Sequence, residues 1–397
     1  KLYEGFIKKH DKIIEHFFSR NPKYWPLFSD PQVQKILEFR KIHCPAPARP
    51  MQYPGYEKLG HDILNRQVVP NSPNFTNIDP LLTFASALSK NWEDPASVEN
   101  VVSTPSDPAL YGSFLGIVGN ANLVHREYSE SASDLEFLVI RQIASLIGWD
   151  NSRATGIFTQ GGTFCNQYGY LLGIRKSLPE AKHYGMGYTH EYRFMNSMGG
   201  HYSNTTNLSL LGINLKEKTL RIQVEENNNI NLEDFSLQLE SCFRLNCKVP
   251  TIMLTMGTTD TFGIDQVESV YRERNRLAEK YQIEPLPHIH VDAAVGWPMI
   301  FFLDYDFQVN PLEINEETLA GIQKNKEKFE ALHFADSFTV DFQKWGYVPY
   351  TSSLVMIKNK DDLKALENDP ENFSYFNKET QLSLIHISEP TRLGFIS

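Results

Sequence analysis

The sequence predicts an α/β protein built on a mostly parallel sheet, with ligands expected at the C-terminal ends of the strands. Three observations carry that expectation. Beyond residue 133, short apolar runs alternate with helix-period segments, strand then helix, several times in succession. The 397 residues are 41% apolar and 22% charged, which excludes disordered, collagen-like and coiled-coil chains and leaves room for two or three domains. One strand-like run ends in a carboxylate followed by two small residues, Asp292-Ala293-Ala294, where an open α/β sheet presents polar groups to a ligand.

The elements follow in order. Residues 1–20 mix charge with Phe6, Ile7, Ile13, Ile14, Phe17 and Phe18, which is no secretory leader. From about 21 to 108 the chain is rich in aromatics and proline (Pro45, Pro47, Pro50, Pro54, Pro70, Pro73, Pro80), so residues 1–108 read as an arm of short helices and extended segments. Ser133 to Glu136 has the capping-box pattern, and Leu135, Leu138, Val139, Ile143, Leu146 and Ile147 recur at helical spacing up to Gly148. Strands at 156–159, 219–224 and 250–256 are followed by helices at 164–177, 232–242 and 266–281. The last of these helices follows Asp265, has Glu268 in capping-box position and carries a stripe of Val267, Val270, Tyr271, Leu277, Ala278 and Tyr281. A polar, helix-prone stretch at 313–329 has Asn315 as its candidate cap. Residues 298–303 are only core-strand sized, and no apolar run approaches the roughly 20 residues that span a bilayer.

The large domain is expected over 109–357, the start of a C-terminal region over 358–381 and an extraneous tail over 382–397. Residues 382–392, LSLIHISEPTR, look like the translation of a sequencing adapter, so native sequence is expected to stop near Gln381.

A charge of −10, from 38 basic and 48 acidic residues, gives no electrostatic footprint for nucleic acid or anionic lipid, and a small-molecule partner is expected. Cys44, Cys165, Cys242 and Cys247 are too few for a disulfide scaffold and form no C-x-x-C pair, so they read as reduced thiols in a cytoplasmic protein.

Three short motifs carry chemistry. Residues 158–163 run from a strand through Gly161 and Gly162 to Thr163 and a helix, which is either a tight turn or a cup for phosphate at a helix N-terminus; neither the Walker pattern nor G-x-G-x-x-G is present. Asp292 either caps a turn or pairs with a cationic ligand atom. Lys344, delivered by the strand-like run 337–345, is either a surface lysine with its stem packed or a reactive amine. A phosphate cup, a histidine at His201, a carboxylate and a lysine, in that order, meet the needs of pyridoxal 5'-phosphate (PLP): an anchor, a flat partner, a group keeping the ring nitrogen protonated, and an amine.

At this point the chain resembles the group II PLP-dependent amino acid decarboxylases, relatives of glutamate and aromatic amino acid decarboxylases. The resemblance covers residues 111–357 and rests on ordered blocks: the helix ending Ile147-Gly148-Trp149, GIFTQGGTFCN at 156–166, HYSNTTNLSLLGI at 201–213, MGTTDTFGID at 256–265, HVDAA at 290–294 and the strand ending in Lys344. It implies a fold type I, aspartate aminotransferase-like large domain with an N-terminal arm and a truncated C-terminal small domain. It also implies decarboxylation of an L-amino acid to its amine through a Schiff base on Lys344, and a homodimer with sites at the interface. By motif position, Asp292 would pair with the pyridine nitrogen and His201 would stack on the ring. Gly161, Gly162 and Thr163 would bind phosphate, Ala294 would pack against the ring, and Thr258 and Asp265 fall in a block that lines the cofactor.

Two departures stand out. Gln343 replaces the family's histidine before the lysine, and an amide can hydrogen-bond a phosphate but carries no charge or proton. Asp292 and Lys344 are fifty-two residues apart, more than the family leads one to expect, and the surplus includes 313–329. Another PLP reaction, transamination or carbon–carbon cleavage, and a catalytically silent PLP-binding homologue stay open as alternatives. Loss of the C-terminal region would leave this chain inactive. No residue here selects among substrates.

Overall fold

The computed structural model describes residues 11–31, 33–35, 37–38, 101–121, 129, 131–188 and 190–367. The proline-rich stretch from Pro45 to Pro80 and the 382–397 tail lie outside them. The chain divides into two compact units, residues 1–115 with 347–349, and residues 116–346 with 350–397. In the first unit, the Arg20 guanidinium forms an ion pair with the buried Asp107 carboxylate and donates to the Pro105 carbonyl (3.0 Å), and Phe18 meets Tyr347 edge-on (5.2 Å). Asp107 opens helix α1 (Asp107–Gly119).

The second unit holds a seven-stranded sheet: β1 (Thr155–Thr159), β2 (Phe194–Ser197), β3 (Thr219–Ile222), β4 (Thr251–Thr255), β5 (His288–Asp292), β6 (Ser337–Asp341) and β7 (Ser353–Ile357). Its order is β1-β7-β6-β5-β4-β2-β3; β7 is antiparallel to both neighbours and all other pairings are parallel. The expected α/β class with a mostly parallel sheet is therefore present. Register aligns Thr255 with Asp292 and Asp292 with Thr339, so the C-terminal ends of β4, β5 and β6 lie side by side.

Every residue of β4, β5 and β6 is buried, although β5 (HIHVD) and β6 (SFTVD) alternate polar with apolar residues. Side chains still alternate between faces. Ile252, Leu254, Ile289, Val291, Phe338 and Val340 join the large core with residues of α2 (Ser131–Leu146), α5 (Leu232–Arg244) and α6 (Val267–Tyr281). On the opposite face lies α3 (Gly162–Ser177), whose Tyr170 and Ile174 pack with Phe194, Met253 and Leu208 of α4 (Ser203–Leu210). Close approach of α3 is set by two glycines. A Cβ at Gly169 would stand 2.4 Å from the His290 ring, and one at Gly173 would stand 2.3 Å from the Pro250 carbonyl oxygen.

Three local expectations are corrected. Ser133 does not cap a helix: α2 already runs from Ser131, and the Ser133 hydroxyl is buried against that of Ser129. Leu135 and Leu138, placed in the core stripe by periodicity, are 62% and 51% exposed, whereas Ile140, Ile143 and Ala144 carry the packing. Residues 298–302 fall in a 3₁₀ helix, Trp297–Phe302, with Leu303 just after it, because Pro298 suits a helical first turn and offers no N–H to a sheet.

The spacing between Asp292 and Lys344 is taken up by the β5–β6 crossover, which contains α7 (Glu316–Glu330). Asn315 caps α7 as expected, accepting from the Thr318 N–H at 2.8 Å.

Candidate active site

The C-terminal ends of β5 and β6 and the N-terminus of α3 bring the chemistry together. Asp292 ends β5 and is buried. Its Oδ1 accepts from the Ala294 N–H (3.2 Å), closing a turn, and its Oδ2 from the Asn166 side-chain amide (2.7 Å). Asp341 ends β6. Its Oδ1 accepts from the Ser353 hydroxyl (2.6 Å) and its Oδ2 lies 3.1 Å from the Lys344 ammonium. Burial pushes the Asp341 carboxyl pKa up, with Lys344 and Ser353 pulling the other way. Burial also opposes charge on Lys344, but Asp341 and then Asp292 more than offset it, and its pKa stands above the ordinary lysine value.

The cup lies beside this pair. Gly161 has φ +133°, a conformation that favours glycine, and Gly162 opens α3 so close to Asp341 that a Cβ would stand 2.9 Å from both carboxylate oxygens. The Thr163 carbonyl accepts from the Asn207 amide at 2.7 Å. His201 precedes α4 and is within electrostatic reach of Asp292, Lys344 and Asp341. Burial lowers its pKa and favours the neutral ring. Its Nδ1 accepts from the Ser203 N–H at 3.2 Å, which puts any ring proton on Nε2.

Other expected residues are engaged elsewhere. The Thr258 hydroxyl accepts from the Gly263 N–H (2.7 Å) and bonds to the Thr261 hydroxyl (2.8 Å), closing its own turn. Asp265 does not cap α6. Its carboxylate accepts from the Ile230 N–H (2.6 Å) and the Thr255 N–H (2.8 Å), tying two loops to β4, and burial pushes its pKa up to about 7. Both ends of the Gln343 amide are taken by β7 and the residue before it: Nε2 donates to the Ser353 hydroxyl (2.9 Å) and Oε1 accepts from the Ser352 N–H (3.0 Å). These bonds hold the Gln343 amide in place and use one of its two N–H donors.

Asp341, Asn166 and Ser353 were missed by sequence reasoning. Asp341 carried a readable signal, since it ends an apolar strand as Asp292 does. Asn166 and Ser353 carried none, because their partners are 126 and 12 residues distant.

The residues present fit PLP. An amine, two strand-end carboxylates, an imidazole and the N–H groups of a helix N-terminus converge, and the buried Asn204 amide nitrogen beside Gly200 has no partner among the described residues. Fold and site together define a fold type I α/β protein of the PLP-dependent class. The chain belongs to the pyridoxal-dependent decarboxylase family, whose conserved domain matches residues 76–304. It is 23% identical over 363 residues to aspartate 1-decarboxylase of Aliivibrio fischeri, covering 85% of this chain and 60% of that protein. Among solved structures, the glutamate decarboxylase domain of diaminobutyrate-pyruvate transaminase and L-2,4-diaminobutyrate decarboxylase from Vibrio parahaemolyticus superposes with a TM-score of 0.67 at 20% identity, covering 84% of this chain and 66% of that one. Oryza sativa TDC with PLP and tryptamine gives a TM-score of 0.66 at 15% identity, covering 87% and 66%. The chain thus spans about 60% of the curated relative and 66% of each of these structures.

Proposed function

We propose that the protein is a PLP-dependent amino acid decarboxylase that converts an L-amino acid to its amine. The observation that carries this reading is the ion pair of Lys344 with Asp341 (3.1 Å) just beyond β6, beside Asp292 at the end of the adjacent parallel strand β5. When bound, the cofactor supplies an electron sink for the pair released as CO2 departs. Lys344 is assigned the amine that holds the cofactor, and Asp292 the partner of its ring nitrogen. His201 is assigned to the ring face, Ala294 to the ring's other neighbour, and Gly161, Gly162 and Thr163 to the phosphate. Thr258 and Gln343 are assigned supporting parts, since both spend their polar atoms on the turns that frame the site.

The proposal includes a homodimer, supported by the exposed Leu135 and Leu138 on α2, and a cytoplasmic location, supported by Cys165, Cys242 and Cys247, which are buried without a disulfide. Light scattering tests the first. The reaction is tested by CO2 release from a panel of acidic, basic and aromatic amino acids with full-length protein and added PLP. Release from one class establishes reaction and substrate together; tight PLP binding with no release from any overturns decarboxylation.

A further inference from the structure

Behind Asp292, an uninterrupted row of buried polar groups runs between α3 and β5 to the far end of that helix. Asn166 donates to Asp292 through Nδ2, and its Oδ1 receives the Thr339 hydroxyl (2.7 Å) and His290 Nε2 (3.2 Å). His290 Nδ1 is 2.7 Å from the Ser337 hydroxyl, which is 2.7 Å from His288 Nε2. His288 Nδ1 is 3.4 Å from the Lys176 ammonium, which pairs with Asp362 at 2.6 Å. Strand alternation puts His288 and His290 on the face toward α3, and Gly169 leaves room for the His290 ring beneath the helix.

The partners fix the direction of every link. Asn166 Oδ1 only accepts and takes the Thr339 proton, so the Thr339 oxygen, 3.0 Å from His290 Nε2, also accepts there; His290 carries its proton on Nε2 and its Nδ1 must accept from Ser337. The Ser337 proton being spent there, its oxygen must accept from His288 Nε2–H. His288 Nδ1 is then an acceptor, and an ammonium can only donate to it. Each donor therefore points from Lys176 toward Asp292, with neutral groups between a cation and a carboxylate.

We propose that Lys176, His288, Ser337, His290 and Asn166 form a one-way hydrogen-bond chain that sets the orientation of Asp292, with Lys176 and His288 as remote positioning residues of the site. The proposal rests on the reading of Asp292 as partner of the cofactor's ring nitrogen. Burial favours neutral rings at both histidines, lowering His290 to about 4 and His288 well below its ordinary value. The charged groups facing them are Lys176 on α3, Arg274 on α6 and Asp292 on β5.

The test uses the full chain with nitrogen-15 histidine, before PLP is added. His288 and His290 are expected as single Nε2–H tautomers at neutral pH, and an Nδ1–H or doubly protonated ring at either overturns the chain. Lys176→Met is expected to give His288 mixed tautomers and to weaken PLP binding by about 2- to 30-fold, whereas Lys176→Arg and Asp362→Asn, which keep a donor, leave both unchanged. Equal effects of Lys176→Met and Asp362→Asn would mean that the ion pair acts only structurally, and would overturn the proposal. Ser337→Ala is expected to release both rings; because it sits in the core, the partly exposed Lys176 variants decide the matter if it fails to fold. Absence of PLP binding in the unaltered protein would count against the proposed function and leave the tautomer result standing.

Discussion

Lys344 and Asp341 form an ion pair, 3.1 Å from Nζ to Oδ2, and the same carboxylate lies against the backbone of Gly162 at the start of α3. Amine, carboxylate and helix N-terminus are thus mechanically linked. Asp341 cannot retreat freely, because Ser353 donates to it at 2.6 Å.

Gly162→Ala is therefore expected to displace Asp341 and with it Lys344. A Cβ at 2.9 Å from two fixed oxygens calls for a shift in β6 or α3, at a cost of about 1–3 kcal/mol. Spectrophotometric titration with PLP should show binding weakened well beyond what the stability loss explains. Unchanged binding would place the cofactor's anchor elsewhere.

Lys344→Ala should abolish the visible absorbance of protein-bound PLP while circular dichroism retains the fold. It also leaves the buried Asp341 carboxylate without its cation, which destabilises by about 2–4 kcal/mol. The double variant Lys344→Ala with Asp341→Asn removes that stranded charge and should recover most of the stability without recovering absorbance. Recovery of absorbance in the double variant would show that another amine holds the cofactor.

What was legible in the sequence followed from periodicity and strand ends. Strand-like runs located β5, which closes on Asp292, and β6, which stops at Asp341 and leaves Lys344 in the turn beyond it, and Asn315 announced α7 correctly because its cap is local, three residues from its partner. Ser133 and Asp265 had the same local pattern and failed for one reason: tertiary partners claimed their side chains, Ser129 in the first case and the Ile230 and Thr255 backbone in the second. Leu135 and Leu138 fit a helical stripe that pattern alone cannot aim at a core. The bonds of the Gln343 amide to Ser352 and Ser353 had no signal in the sequence, because those partners stand nine and ten residues further on.

Gly173→Ala should destabilise the second unit although alanine is the better helix former. The added methyl would meet the Thr251 hydroxyl at 2.1 Å and the Pro250 carbonyl oxygen at 2.3 Å, and a strand backbone cannot move aside. About 1 kcal/mol gained in propensity is expected to be outweighed, for a net loss of about 1–3 kcal/mol in urea unfolding. Gly321→Ala on α7, where a Cβ meets nothing within 4 Å, provides the contrast and should be neutral or stabilising.

Stability should fall as pH is lowered from about 6.5 toward 5. In the unfolded chain the imidazoles of His288 and His290 take up protons below about 6.5. In the fold, burial holds them neutral, His290 until about 4 and His288 well below its ordinary range. Between those values the unfolded state binds more protons, so stability present above 6.5 is lost on acidification, approaching about 1.4 kcal/mol per pH unit for each histidine. Asp265 opposes this: burial raises its carboxyl to about 7, so the fold holds that proton where the unfolded chain does not, and its contribution grows as pH falls across the same interval. The net slope is then small near pH 6.5 and approaches about 1.4 kcal/mol per pH unit toward pH 5, and Asp265→Asn, which removes the opposing titration, should steepen it by up to about 1.4. Urea unfolding at several pH values between 5 and 7.5 measures both slopes. A flat profile in the unaltered protein, with no steepening in the variant, would mean that the two histidines are not held neutral.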